Sequence, residues 1–311
     1  QVDARLHGVD STANFSRIGG NLAVAISLAT AQAAAASQGV PLFRYVAGMG
    51  PYVLPAPMGN VLGGGAHAVG GTDIQEFLVT SFDDDVSRAI EANAAVHRAV
   101  GAALRAQFPD TALGKGDEGA WVAPLENVAA LELVVEAARS VADETGVDIR
   151  PGLDLAASEF YRDGKYHYRD RSLTPEEQVD FVVSLIEDYN LHSVEDPLDQ
   201  EDFESWAALT ARTDALVIGD DLYVTNVARL AKGIELEATN AILIKPNQIG
   251  TLTDTIETVT LAREAGLATV ISHRSGETTD TAISHLGVAF GCHAIKTGAV
   301  GGERIAKLNE L

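Results

Sequence analysis

From residue 147 onward the chain repeats one pattern: a short apolar run, a polar cluster, then an amphipathic stretch. The runs occupy 147–154, 191–197, 215–221, 241–245, 268–273 and 293–296. Most are short and continuously apolar, which reads as buried parallel strands. The stretches between them carry helix starts. Thr174-Pro175-Glu176-Glu177 supplies an N-cap hydroxyl, a proline at the first helical position and an acidic first turn, and Thr279-Asp280 precedes an apolar periodic run. The polar residues that close successive runs, Glu195, Asp220, Lys245, His273 and Lys296, stand 25, 25, 28 and 23 residues apart, the length of a strand, a helix and their loops. That rhythm favours a (β/α) barrel, which brings every strand C-terminus to one mouth. A dinucleotide-binding sheet is disfavoured, because no Gly-x-Gly-x-x-Gly follows a strand.

Upstream the order changes. Strands are predicted over 52–58 and 75–79, and two long helices over 84–105 and 125–144, so the barrel opens β-β-α-α before settling into β/α repeats. The domain break falls near Pro51, below a helical arm over 21–38. Residues 1–17 carry no helix or strand start of their own, and 308–311 end inside a helical pattern, so a fragment at both ends is expected.

Composition narrows the function. At 311 residues and 46% hydrophobic, the chain can build one large core. A formal charge of −22 repels nucleic acid and anionic lipid alike. A single cysteine, Cys292, allows no intrachain disulfide or Cys-based zinc site and fits a reducing compartment, hence the cytoplasm. The most apolar helix-like stretch, 22–36, is interrupted by Ser27, Thr30 and Gln32, too polar to span a bilayer. The positives are 6 Lys and 16 Arg, against 23 Asp among the negatives. An acidic, Lys-poor surface is that of an ordinary acidic enzyme or, the sharper reading, of one adapted to high salt.

The strand-end residues suggest chemistry. Asp154, Glu195 and Asp220 are carboxylates on successive barrel strands, an oxygen set that suits a hard cation such as magnesium; singly, each could equally be a helix cap. Lys245 and Lys296 project from buried strands. Either they are ion-pair partners of those acids, or one is a general base whose pKa is lowered by a metal and a second cation. His273-Arg274-Ser275 places an imidazole, a guanidinium and a hydroxyl together, and Arg with Ser suits a phosphate or carboxylate. Gly116-Asp117-Glu118-Gly119 could carry an acid into a pocket or be a solvated turn. Gly63-Gly64-Gly65 before His67 could cradle an anion, on weak evidence.

These motifs together resemble the enolase family along essentially the whole chain. The resemblance is carried by Asp73-Ile74-Gln75-Glu76-Phe77, Gly116-Asp117-Glu118-Gly119, Leu153-Asp154, Val194-Glu195-Asp196-Pro197, Gly219-Asp220-Asp221-Leu222, Ile244-Lys245-Pro246-Asn247-Gln248, His273-Arg274-Ser275-Gly276-Glu277 and Ile295-Lys296-Thr297-Gly298. Gly301-Gly302-Glu303-Arg304-Ile305-Ala306-Lys307-Leu308-Asn309 looks archaeal and, with the acidic surface, haloarchaeal.

The resemblance implies an α/β fold: an enolase-type TIM barrel over 51–311 with a truncated C-terminus, and in 1–50 a helical arm and a remnant of an N-terminal α+β domain that is mostly missing. It implies a lyase that reversibly dehydrates 2-phospho-D-glycerate to phosphoenolpyruvate with Mg2+. Lys245 matches the general base, a role that the family template assigns to a Lys or His. Glu118 matches the acid that protonates the departing hydroxyl, with Glu76 assisting, one carboxyl being kept protonated by burial and its neighbour. Asp154, Glu195 and Asp220 match the metal ligands. Arg274 and Ser275 match phosphate contacts, Lys296 a substrate carboxylate contact, and His67, Gln75 and His273 the rest of the pocket wall. A homo-oligomer is expected, as is slow turnover if the family's mobile phosphate loop is absent. The alternatives are a non-catalytic fragment or surface and assembly partner, or another lyase or racemase of the superfamily.

The salt reading is open to direct measurement. With −22 charges on the chain, repulsion should lower the melting temperature in dilute buffer and molar KCl should raise it. A melting temperature that stays flat across that range discards the halophilic reading.

Overall fold

The structure, a computed structural model, describes residues 1–311 except Val69 and the side chain of His67, so the expected His67 contact lies outside the described residues. Three helices come first: α1 (Val2–Asp10), α2 (Gly20–Ser37) and α3 (Leu42–Ala47). There follow β1 (Ala56–Gly63), β2 (Glu76–Phe82), α4 (Val86–Gln107), α5 (Asn127–Thr145), β3 (Asp148–Asp154) and α6 (Pro175–Tyr189). Next come β4 (Ser193–Glu195), α7 (Phe203–Thr210), β5 (Leu216–Gly219), α8 (Val227–Glu235), β6 (Ala241–Ile244), α9 (Pro246–Ile249) and α10 (Leu252–Glu264). The chain ends with β7 (Ala268–Ser272), α11 (Ala282–Phe290), β8 (Ala294–Lys296) and α12 (Gly302–Glu310).

The eight strands pair in chain order, and β8 closes on β1 in parallel register, Ala56 opposite Ala294. Only β2 runs against both its neighbours, with Met58 opposite Thr80 on one side and Glu76 opposite Asp154 on the other. The rest are parallel. The result is the expected closed barrel with a β-β-α-α start.

Two apolar layers hold it. Met58, Leu78, Ile218, Ala241, Leu243, Val270 and Ala294 form a separate buried cluster that fills the barrel. A larger cluster lies between strands and helices, including Val61, Phe77, Val194, Trp206, Val217 and Leu286. Side chains alternate along a strand, so the residue two positions beyond an inward apolar one also faces the lumen. Ile218 is followed by Asp220, Leu243 by Lys245 and Ala294 by Lys296. Because β2 is reversed, the same mouth receives the residue two positions before Leu78, which is Glu76.

The helix starts behave as read. Thr174 Oγ1 accepts from Glu177 N at 3.3 Å and Glu177 Oε2 accepts from Thr174 N at 2.8 Å, a reciprocal cap behind Pro175. Asp280 Oδ1 accepts from Ala282 N at 2.8 Å at the start of α11.

Two expectations need correction. Residues 2–10 are helical although nothing local announces it, since α1 has no side-chain cap. Tertiary contacts hold it instead: His7 Nε2 lies 2.8 Å from Asp254 Oδ2, and Asp3 Oδ2 accepts from Thr253 N at 3.0 Å. The first strand is β1, starting at Ala56 rather than residue 52, because Pro51 and Pro55 have no amide to donate and the buried run is 57–63.

The loop between α4 and α5 folds as a hairpin, Gly114–Lys115 against Trp121–Val122, and Trp121 also sits beside Leu62 of β1. Trp121 Nε1 donates to His97 O at 2.9 Å, and His97 Nε2 donates to Gly119 O at 2.8 Å, so α4 anchors the hairpin next to Glu118. The indole rests on Gly101, where a β-carbon would stand 2.5 Å from the ring. Gly101→Ala should therefore destabilise the fold by about 1–3 kcal/mol through overpacking. Gly114→Ala, where a β-carbon meets nothing within 4 Å, should cost far less. Equal chemical-denaturation midpoints for the two variants would remove the hairpin anchor from this account.

Candidate functional site

The strand ends of the barrel enclose a cavity of about 260 Å³. It is lined by Gln75, Glu76, Glu118, Asp154, Asp220, Lys245, His273, Arg274, Ser275 and Lys296, ten of the residues expected from the sequence, and also by Asp196 and Asp221. Glu195, 1% exposed, lies just beneath the lining.

Two ammonium groups organise the acids. Lys296 Nζ donates to Asp154 Oδ2 at 3.0 Å and to Glu195 at 2.9 and 2.8 Å, and stands 3.2 Å from Glu76 Oε2. Lys245 Nζ donates to Asp220 Oδ2, while Gln248 Nε2 donates to Asp220 Oδ1 at 2.8 Å. Both lysines are thus ion-paired in this arrangement. The direction of the Lys245 pKa is set by its neighbours. Burial pushes it down, but the Asp220 and Glu195 carboxylates outweigh burial and raise it. Lys296 is raised well above the ordinary lysine value against burial, first by Asp154 and then by Glu195.

The carboxyls are driven apart. Glu76 is held protonated far above the ordinary range by burial and by the Glu118 charge. Glu118 is held low despite burial, because His273, Lys296 and the Asn60 amide at 3.2 Å favour its ionised form. Of the pair, the carboxyl that favours its proton is Glu76, the deeper partner at 1% exposed. Glu195 is pushed up to about 8 by burial and the Asp154 charge. Asp221 is pushed up to about 6 by burial and Asp220. Asp220 stays below its ordinary value despite burial, because Lys245 neutralises it.

The donor set fits a hard divalent cation. Eight carboxyls, Glu76, Glu118, Asp154, Glu159, Glu195, Asp196, Asp220 and Asp221, gather at one mouth against the ammonium groups of Lys245 and Lys296 and the exposed Arg274, and several favour protonation because of burial and of one another's charge. Among the described residues, carboxylate oxygens of Asp196, Asp220 and Asp221 come within 4.8 Å of one another. Asp196 is a poor ligand all the same. Its Oδ1 accepts from Asp220 N at 3.0 Å and its Oδ2 from Asp221 N at 2.9 Å, so both oxygens already hold the end of β5 in place.

Across the mouth, Arg274 is exposed, and among the described residues its guanidinium has no hydrogen-bond or ion-pair partner. Its backbone is fixed from behind by Arg304, which sequence reasoning did not single out. Arg304, 0% exposed, donates through Nη1 to Arg274 O at 2.7 Å and to His273 Nδ1 at 2.8 Å. Through Nη2 it donates to Asp117 O at 3.0 Å and to Ser275 O at 2.9 Å. Asn60, Asp196 and Gln248 were also passed over. Asp196, next to Glu195, and Gln248, three residues after Lys245, stood inside the motifs that carry the resemblance, whereas Asn60 offered no signal.

The chain is similar to known proteins over its full length. A family model described as the enolase C-terminal TIM barrel domain matches residues 51–311, and one described as the enolase N-terminal domain matches 1–46. Proteins named enolase from Methanocorpusculum labreanum and Natronomonas pharaonis are 51% and 52% identical to it, over 99% and 100% of this chain and 78% of each relative. The enolase of Halobacterium salinarum is 51% identical over 100% of this chain and 78% of its own length. These three relatives are archaeal and include halophiles, which fits the archaeal look of residues 301–309 and the acidic composition.

Excess buried negative charge has a pH signature. A carboxyl that titrates at about 8 when folded, against 4.5 in the open chain, keeps a proton that the unfolded chain releases, so stability falls as pH rises across that interval. Below about 6.5 the buried histidines oppose this, because His192 titrates at about 4 in the fold and the unfolded chain takes up the proton first. The clean window is therefore pH 6.5 to 8. Without divalent cations the melting temperature should fall across it, and Glu195→Gln should flatten the slope. Added magnesium should stabilise more at pH 8 than at 6.5. A metal-free melting temperature that rises through the window would contradict the assignment of trapped negative charge.

Proposed function

Because the chain belongs to the enolase family, we propose a division of labour among its own residues for the reaction it catalyses, the reversible dehydration of 2-phospho-D-glycerate to phosphoenolpyruvate. The enzyme is a lyase with phosphopyruvate hydratase activity. The observation that supports the division is the placement of a lysine and a carboxyl pair in one cavity, with Lys245 at the end of β6 and Glu118 with Glu76 on the hairpin and β2 side.

Lys245 removes the proton from C2. To do so it must be neutral, and the Asp220 pairing favours its charged form, so the base is released only when that carboxylate is engaged elsewhere. Asp154, Glu195 and Asp220 are the residues that would hold a divalent metal, which we take to be Mg2+. The metal would supply positive charge against the extra negative charge that builds on the substrate carboxylate after C2 loses its proton.

The hydroxyl on C3 departs as water with a proton from the Glu118–Glu76 pair. Glu76 carries the stored proton and Glu118 stands nearer the opening. Arg274 and Ser275 bind the phosphate, Gln75 and His273 wall the pocket, and Lys296 holds Asp154 and Glu195 until the substrate carboxylate arrives. The same premise makes a cytoplasmic homo-oligomer our reading of the assembly.

The steps separate by mutation. Lys245→Ala should abolish exchange of the C2 proton with solvent and reduce dehydration by several orders of magnitude, whereas Glu118→Gln should block loss of the hydroxyl and leave the exchange measurable. Solvent-deuterium incorporation into 2-phosphoglycerate, followed by NMR, reads the first step alone. Full exchange in Lys245→Ala would overturn the base assignment.

A further inference from the structure

Arg304 does not line the cavity, yet its guanidinium reaches two segments that build it, the Asp117 loop and residues 273–275. An arginine side chain can only donate. The nitrogen of His273 that faces Arg304 Nη1 at 2.8 Å, Nδ1, must therefore offer a lone pair, and the ring's single hydrogen is left on Nε2. Nε2 stands 3.4 Å from Glu118 Oε1 and has no well-formed hydrogen bond of its own. It is a buried donor held beside the acid and not used up by it.

We propose that Arg304 is the positioning residue that fixes His273 in its Nε2–H tautomer, as a neutral hydrogen-bond donor beside Glu118, while bracing the Asp117 and Arg274–Ser275 loops in one geometry. The idea rests on the dehydratase reading for its consequence, though not for the tautomer itself.

Three physical points carry it. First, the four Nη hydrogens of Arg304 are matched by four acceptors, His273 Nδ1 and the carbonyls of Asp117, Arg274 and Ser275. A lysine offers three donors from a single point and cannot span these sites. Second, the charged groups around His273 are Glu118 at Nε2, Arg304 at Nδ1 and Lys296 nearby. Two cations and burial oppose an imidazolium, and only Glu118 favours one. Third, α12 pins the same loop twice. One turn beyond Arg304, the buried Lys307 Nζ donates to Thr278 O at 2.6 Å and lies 3.5 Å from Glu277 Oε1. Glu277 Oε2 in turn accepts from Arg274 N at 3.3 Å. The His273 ring and the Arg274 backbone thus share one support, so the donor facing the departing hydroxyl and the residues that bind phosphate keep a fixed separation.

The wild-type enzyme tests the tautomer directly. In protein carrying 15N-labelled histidine, with the His273 signals assigned by their loss in His273→Gln, Nδ1 should resonate as an unprotonated nitrogen and Nε2 as a protonated one throughout pH 6 to 8. A protonated Nδ1, or an imidazolium at pH 7, overturns the proposal. Arg304→Lys supplies the functional arm. Its kcat should fall roughly 10–100-fold, the size seen when a partner that orients a site histidine is removed. KM should rise as well, because the phosphate contacts lose their brace. Where Arg304→Lys folds, its His273 should show mixed tautomers; a single Nε2–H form with unchanged kcat overturns the proposal. If wild-type enzyme failed to dehydrate 2-phosphoglycerate, the functional reading would fall, and the nitrogen signals would still decide this one.

Discussion

The structure depends on keeping a crowd of carboxylates buried at one end of a barrel without letting them all ionise. An isolated ion taken out of water loses several kcal/mol even after relaxation, and like charges add to that cost. Lys296 is the main relief. Lys296 is 3% exposed, and its ammonium meets Asp154, Glu195 and Glu76 at once, on strands β3, β4 and β2. Removing a partner of such a group is costlier than the net value of the pair, because the remaining charge is stranded. The same cluster therefore serves folding and function: the carboxylates that repel one another at the mouth are those that would bind a cation there.

That crowd exists because of strand geometry. A barrel brings its strand C-termini together, and alternation sends every second residue inward, so apolar filling at Ile218, Leu243 and Ala294 obliges Asp220, Lys245 and Lys296 to face the same space. The reversed β2 contributes through its first residue instead of its last. Glu76 is opposite Asp154, and Asp154 is opposite Glu195, so three carboxyls lie in one row across neighbouring strands. An intervening cation or retained protons make such a row tolerable.

This logic also explains what was legible in the chain. The β/α rhythm and the strand-end residues followed from local periodicity, and they placed Glu195, Asp220, Lys245, His273 and Lys296 correctly at one mouth. The choice between the two readings of the lysines, ion-pair partner or general base, did not follow, because it depends on which charged group stands nearest, which spacing cannot say. α1 was missed because its stability comes from His7 with Asp254 and Asp3 with Thr253, partners some 250 residues away. Arg304 was missed for a similar reason: its acceptors are mostly backbone carbonyls on loops near 117 and 274, and carbonyls carry no sequence signature.

Two kinds of negative charge must then be kept apart. The −22 of the whole chain is mostly at the surface, where ions in solution screen it within about 10 Å at 0.1 M salt. The carboxyls of the mouth are mostly buried, where screening is much weaker, and Lys245 and Lys296 offset part of their charge at contact distance. Salt therefore relaxes the shell and leaves the site nearly untouched, whereas a divalent cation acts on the site and hardly on the shell. Their effects on stability should be close to additive, since distant groups that share no partner do not couple. An acidic surface is in this sense independent of an acidic active site, although both raise the same count in the composition.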